Sequence, residues 1–231
     1  MSAPLPTRVH WHLAMTTRRR VLLGLGLLSL LAAWLGPLPA LAQHSFAAHM
    51  AMHMTVVAIA APLLAIGLAG SAADPVLRAP WLFSPMLATV LEFMVVWAWH
   101  APQLHHAARE AVALRMLEQG SFLAVGLVLW LAAFGGRARP SRERAAAGIA
   151  GLLMTSMHMT LLGVLLAGAP RALYRHGGVA HAAMPSAAGA LQDQQLGGVL
   201  MLAVGGVAYL GGALLLLASL LRERGEGVGD A

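Results

Sequence analysis

Residues 44–70 read His44-Ser45-Phe46-Ala47-Ala48-His49-Met50-Ala51-Met52-His53-Met54-Thr55-Val56-Val57-Ala58-Ile59-Ala60-Ala61-Pro62-Leu63-Leu64-Ala65-Ile66-Gly67-Leu68-Ala69-Gly70, with no Asp, Glu, Lys or Arg anywhere in the run. A helix of that length, rising 1.5 Å per residue, exceeds the roughly 30 Å of a bilayer's hydrocarbon layer. Comparable apolar runs lie at about 21–42, 81–100, 112–135, 146–168 and 195–221. The chain is 59% hydrophobic and only 10% charged, a balance that one water-soluble core of this size does not need. Gly and Pro interrupt several runs, which membrane helices tolerate. The expected fold is an all-α integral membrane protein, a bundle of about six transmembrane helices set in a lipid bilayer.

The chain has no cysteine, which removes disulfides and thiolate metal ligands, and no lysine, so every fixed positive side chain is Arg. The formal charge of +6 is not a nucleic-acid footprint, because the arginines are sorted by loop. Arg8, Arg18, Arg19 and Arg20 precede the first span; Arg78, then Arg137, Arg139, Arg142 and Arg144, occupy later loops on the same side, and Arg222 and Arg224 follow the last span. The alternate loops hold only Arg109, Arg171 and Arg175, with Arg115 at a span edge. The positive-inside rule then puts both termini in the cytoplasm. The chain divides into a basic N-terminus with the first span (1–42), a helical membrane domain (43–221) and a short cytoplasmic tail (222–231). The first span also reads as an export signal, since Thr17-Arg18-Arg19-Arg20-Val21-Leu22 leads an apolar run ending at Ala40-Leu41-Ala42. Cleavage there would leave five spans with unchanged orientation.

The tetrapeptide Met-His-Met-Thr occurs twice, at Met52–Thr55 and Met157–Thr160. On a helix, His49 and His53 share one face at i, i+4, with Met50 and Met54 beside them. Imidazole and thioether are copper-type ligands, and an intramembrane His is a functional hypothesis by default. Counting helical rise from the outer span ends puts His53 roughly 14 Å deep, His158 roughly 15 Å, Glu92 roughly 12 Å and Glu118 roughly 10 Å. His100 caps the outer end of the third span, while Asp193 and Gln194 introduce the sixth. This gathering of polar groups in the outer half carries the functional reading. Plainer readings stand beside it. A single His in a membrane helix serves as an interhelical hydrogen bonder, Met stripes serve as packing, and Glu118 can pair with Arg115 three residues earlier. Glu92 has no local partner. His105 and His106 read as solvated loop residues, and His10, His12, His176 and His181 belong to no pattern. The two depths do not mirror each other across the bilayer, so the repeated tetrapeptide reads as repeated ligand chemistry and not as an inverted repeat.

Four segments then fall in a recognisable order: His49-Met50-Ala51-Met52-His53-Met54 followed by Ala61-Pro62-Leu63-Leu64; Trp99-His100-Ala101-Pro102; Leu161-Leu162-Gly163 with Ala169-Pro170 and Leu173-Tyr174; and Asp193-Gln194-Gln195-Leu196-Gly197-Gly198 with Met201 and Gly205-Gly206. Together they resemble the CtaG family of bacterial cytochrome c oxidase assembly factors, from about His49 to Tyr209. Two departures stand out. Leu117-Glu118-Gln119-Gly120 lies where many relatives carry a His in the fourth helix, and Leu202 stands where Trp is expected.

The resemblance implies a non-enzymatic assembly factor for a haem–copper oxidase in the bacterial inner membrane, multi-pass, with a cytoplasmic C-terminus. Its partners would be cytochrome c oxidase subunits and a periplasmic copper chaperone. Joined to the residues, it suggests Cu(I) as the cofactor, held by His49, His53 and His158, with Met50, Met54 and Met157 as soft co-ligands and His100 nearby. Asp193, Gln194, Glu92 and Glu118 are the expected supporting or partner-contact residues. Three rival readings remain at this stage. One is a structural assembly or interaction subunit without metal, and another is a b-type haem electron carrier with His53 and His158 as axial ligands. The third is a copper permease, which the ligand-poor inner halves of the spans disfavour.

Overall fold

The computed structural model describes residues 8–136, 141–174 and 186–229, with side chains placed between Thr17 and Arg222 within those ranges. His176 and His181, and the side chains of His10 and His12, lie outside the described residues. The described elements are helical: α1 Arg8–Leu35, α2 Phe46–Leu68, α3 Pro85–His100, α4 Pro102–Glu110, α5 Val112–Phe134, α6 Arg142–Ala167 and α7 Ala187–Gly229. Gly36-Pro37 interrupts the first span, and one further turn, Leu38–Leu41, follows it. Five helices (α1 with that turn, α2, α5, α6 and α7) are long and apolar enough to cross a membrane.

The expected third span is shorter than its apolar run. Pro80 opens a separate 3-10 turn, Pro80–Leu82, and Pro85 sits at the start of α3. A proline can begin a helix but cannot donate within one. The helix proper has 16 residues, about 24 Å of rise. The stretch after it is not the expected loop. Pro102 starts α4, an amphipathic helix that buries His105 and Ala108.

α2 is broken in register rather than in direction. Thr55–Ala60 is π-helical, and the Ala61 amide bonds back to Val56 O, five residues away. Pro62 has no N–H to offer the carbonyl of Ala58, so the α-helical ladder cannot be completed there. The Val57 carbonyl is taken instead by Trp130 Nε1 of α5 at 3.1 Å. This wider turn begins immediately after His53-Met54 and couples the cluster-bearing half of α2 to α5.

Small residues bring the remaining helices close. A Cβ added at Gly198 of α7 would stand 2.6 Å from the Ala167 amide nitrogen and 2.7 Å from Gly163 O of α6. One added at Gly197 would stand 2.5 Å from Phe46 Cδ1 and 3.0 Å from Met50 Cγ. A larger side chain at Gly198 would have to move backbone, and one at Gly197 would have to displace the Phe46 ring; small residues of this kind are how membrane helices gain contact where no hydrophobic force drives them together. α1 docks on α2 in the same manner, with Gly26 against Leu64. At the end near the first helix's start, buried Asp74 accepts from Gly70 N (2.7 Å), Val76 N (2.9 Å) and Gly136 N (2.7 Å), joining the α2–α3 and α5–α6 connections. The opposite end gathers Gln43, His100, Arg109 and Tyr174.

Candidate functional site

The start of α2 is held by three elements. Ser45 caps the helix by accepting from Ala48 N. Its hydroxyl also donates to Asp193 Oδ1 of α7 at 2.7 Å, and Phe46 N and Ala47 N donate to the same carboxylate. Arg109 of α4 donates to the carbonyls of Ala42 and Gln43 just upstream. Burial pushes the Arg109 guanidinium below its ordinary value, with Glu118 acting in the other direction. The group stays charged. These contacts fix the axial position and rotation of the turn that bears His49.

One turn further, His49 and His53 do what their i, i+4 spacing predicts. Their Nε2 atoms are 2.7 Å apart, and both rings are buried. Directions along this contact follow from a residue on α1. Trp34 Nε1 can only donate, and it does so to Gln119 Oε1 at 3.2 Å. That leaves the Gln119 amide nitrogen to donate to His53 Nδ1, also at 3.2 Å. His53 then carries its proton on Nε2 and gives it to His49 Nε2. The tautomer of each ring is set by its other hydrogen bond.

Glu118 faces both imidazoles. Its Oε1 is 3.5 Å from His49 Nε2 and 3.6 Å from His53 Nε2, with no hydrogen bond of ordinary geometry. His105 enters from α4, its ring 4.8 Å from that of His49. His49, His105 and Glu118 each offer a ligand atom within 4.8 Å of the other two, and all three are buried. His100 lies one ring further out, 6.3 Å from His53 between centroids. Its Nδ1 donates to Val96 O at 2.6 Å, so the buried Nε2 lone pair has no hydrogen-bond partner. Tyr174 stacks on Phe46 and donates its hydroxyl to His100 O at 2.6 Å. Burial raises the Tyr174 phenol to about 12.

A cavity of about 850 Å³ opens beside the cluster. Trp34, Met52, His49, Glu118, Gln119, His106 and Arg115 are among the residues that line it. The donor set suits a copper ion. It combines neutral imidazoles, one carboxylate to balance charge and a thioether, Met52, on the approach. The unpaired atoms at His100 Nε2 and Glu118 Oε1 are the kind a bound ion would satisfy.

The structure brings together His49, His53, Glu118 and, nearby, His100. Two expectations are corrected. His105, read as a solvated loop residue, is buried in the cluster because α4 folds back over α2. Glu118, left open between pairing with Arg115 and a supporting role, faces the histidines. The second correction is His158, expected to join His49 and His53 but not in this group. It lies 4.0 Å from Glu92, between α6 and α3. Met157 points outward and is 71% exposed, whereas Met54 is buried and Met50 packs on Gly197. Asp193 acts as the tertiary cap described above. Gln194 receives Leu173 N at 2.6 Å and donates to Leu166 O at 3.3 Å, closing the end of α6. The sequence reading missed Trp34 and gave Gln119 no role. A donor-only indole near one span end was the available signal.

No curated protein and no solved structure matches the chain. The family model for the cytochrome c oxidase caa3 assembly factor (Caa3_CtaG) matches residues 5–223, which spans the whole of this site and both of its flanking ends. Nearly all of the chain is thus accounted for, and it belongs to the family of cytochrome c oxidase caa3 assembly factors.

Proposed function

We propose that the protein acts without catalysis, as a membrane station that receives Cu(I) and passes it to an oxidase subunit during assembly. The observation that carries this is the buried triad His49, His105 and Glu118 beside an open cavity. His49, His105 and Glu118 would hold the ion, and His100 offers a further lone pair. In the metal-free protein His49 Nε2 accepts from His53, which the Trp34–Gln119 relay orients; the ion would take over that same lone pair in place of the hydrogen bond, and Met52 lines the cavity beside it. Membership of an oxidase-assembly family supports the client, and the copper-suited donor set supports the cargo.

The cluster faces the periplasm in this reading, and the C-terminus lies in the cytoplasm of a bacterial inner membrane. The arginines support it. Arg19 and Arg144 bond to carbonyls at the Asp74 end, and Arg78 and Arg142 share that end, against Arg109, Arg115 and Arg171 beside the cluster. A periplasmic copper chaperone would then approach the cavity mouth, and oxidase subunits would collect the ion there.

The deciding experiment measures Cu(I) affinity of purified protein in detergent, together with copper per haem in the oxidase from cells carrying each variant. His49→Ala with Glu118→Gln should abolish tight binding and leave an oxidase that keeps its haem but lacks copper. Unchanged affinity and a copper-replete oxidase would refute the assignment.

A further inference from the structure

The cavity beside the cluster is far larger than an ion requires. Its volume of about 850 Å³ is that of a small-molecule site, whereas one water takes up about 30 Å³. The opening follows from how the helices pack. α1 lies along α2 and reaches across to α5 through the Trp34–Gln119 hydrogen bond. Beside that bond the cavity separates the two helices, with Leu35 on one side and Arg115, Met116 and Gly120 on the other. A Cβ added at Gly120 would meet nothing within 4 Å.

The lining changes character along its length. Leu35 is 78% exposed and Met116 is 70% exposed. Bare apolar side chains on a membrane helix face lipid tails, so the cavity is open to hydrocarbon from the side. Charge gathers where α4 gives way to α5, with Glu110 and Arg115 on either side of the break at Ala111. Of the two arginines on the lining, Arg109 is engaged by the carbonyls of Ala42 and Gln43. Arg115 makes no hydrogen bond or ion pair among the described residues, and it repels Arg109. Glu118 is turned toward the imidazoles, which leaves the exposed Glu110 as the free carboxylate at this end. Gly120 lies five residues further along α5 than Arg115, about 7.5 Å of rise.

We propose that the cavity holds one zwitterionic phospholipid. Its phosphate pairs with Arg115, its amine lies toward Glu110, and one acyl chain runs past Leu35 and Met116 to Gly120. Each end of the ligand gains what the empty cavity denies. The phosphate takes charge-assisted hydrogen bonds from a guanidinium that has none and relieves its repulsion with Arg109. The chain supplies contact atoms along an apolar wall that otherwise faces a void. An anionic headgroup would satisfy Arg115 but meet Glu110 with like charge. This assignment does not depend on the ion that the histidines take.

The test uses the full chain, delipidated in detergent and offered phosphatidylethanolamine, with retained lipid read by native mass spectrometry. One lipid per chain should be retained, and excess inorganic phosphate should not displace it. Gly120→Phe fills the open space without touching a metal ligand, and should retain none while melting no lower than the delipidated wild type. Arg115→Gln should weaken retention about tenfold. Phosphatidylglycerol should be held more weakly than phosphatidylethanolamine. In native membranes, a photo-reactive side chain replacing Met116 should capture phospholipid. Equal retention by the wild type and Gly120→Phe overturns the proposal, as does unchanged retention by Arg115→Gln. Displacement by phosphate would leave a free-anion site instead, and equal or tighter binding of phosphatidylglycerol would refute the zwitterionic headgroup. Capture of a polypeptide at position 116 in place of lipid would make the cavity a protein-docking groove and overturn the proposal. None of these readouts involves copper, so each outcome is separate from the fate of the metal assignment.

Discussion

Ser45 and Asp193 are 148 residues apart, yet the serine hydroxyl donates to the aspartate at 2.7 Å exactly where α2 begins. The Phe46 and Ala47 amides, which a helix start leaves without partners, donate to the same carboxylate. A negative group is also well placed at the positive end of the helix dipole. This one contact joins the ligand-bearing helix to α7.

Asp193→Ala should therefore lower stability by about 1–2 kcal/mol, the usual range for losing a helix cap. Thermal melts in detergent would read the loss. Cu(I) affinity should fall as well, because the turn carrying His49 is no longer held in place. Asp193→Asn keeps two acceptors' worth of shape but only one acceptor oxygen, and should fall between the two. Wild-type melting in Asp193→Ala would remove this contact from the account of the site.

The Trp34–Gln119–His53 chain makes a prediction about protons. His53 should be protonated on Nε2 and bare on Nδ1 in the metal-free protein, as read from nitrogen chemical shifts of labelled imidazoles. Trp34→Phe leaves Gln119 Oε1 without its donor and lets the amide turn. The His53 tautomer should then become mixed, with a stability loss of about 1–3 kcal/mol for the unpaired buried group. A single Nδ1-protonated tautomer in the wild type would contradict the assigned directions.

Much of this architecture is legible in the chain because hydrocarbon thickness imposes a length on each span, and the apolar runs obey it. The exception, α3, is shortened by Pro80 and Pro85, whose effect on a helix start is local and could be weighed in advance. The His49–His53 contact is also local, set by one turn of helix. His105 and Glu118 were not assignable in this way. Their meeting depends on α4 folding back and on the rotation of α5, and neither follows from depth. Depth likewise placed His158 level with His53, but rotation about α6 turns it toward Glu92. The Asp193-Gln194 and Gly197-Gly198 pairs were visible as a motif. Their roles, Asp193 capping α2, Gln194 closing the end of α6 and the glycines admitting Phe46 and Gly163, are contacts across the bundle.

Tyr174 gives an alkaline signature. Its phenol is raised to about 12 by burial, against an ordinary value near 10. A raised value means the folded state holds the proton more tightly, so the stabilisation is complete below pH 10. It is lost progressively as pH rises from about 10 through about 12. Melting temperature should decline across that window in the wild type. Tyr174→Phe should remove this part of the decline, while lowering stability at neutral pH by about 1 kcal/mol for the lost bond to His100 O. Parallel slopes in the two proteins would show that Tyr174 does not titrate as its burial requires.

The last prediction concerns the first helix. Trp34 donates into the site, Arg19 bonds to Ala69 O at 2.9 Å, and Gly26 admits Leu64 of α2 at a distance no Cβ would allow. Trp34 and Leu35 also line the cavity beside the cluster. A segment removed as an export signal has no reason to complete a hydrogen-bond chain to a buried histidine. The protein purified from membranes should therefore retain the residues before Gln43, as intact-mass measurement would show. A version beginning at Gln43 should lose the His53 tautomer bias just as Trp34→Phe does, and should bind Cu(I) more weakly. Recovery of a mature chain starting near Gln43 that binds Cu(I) at full affinity would show that α1 is dispensable and that the cavity is closed by something else.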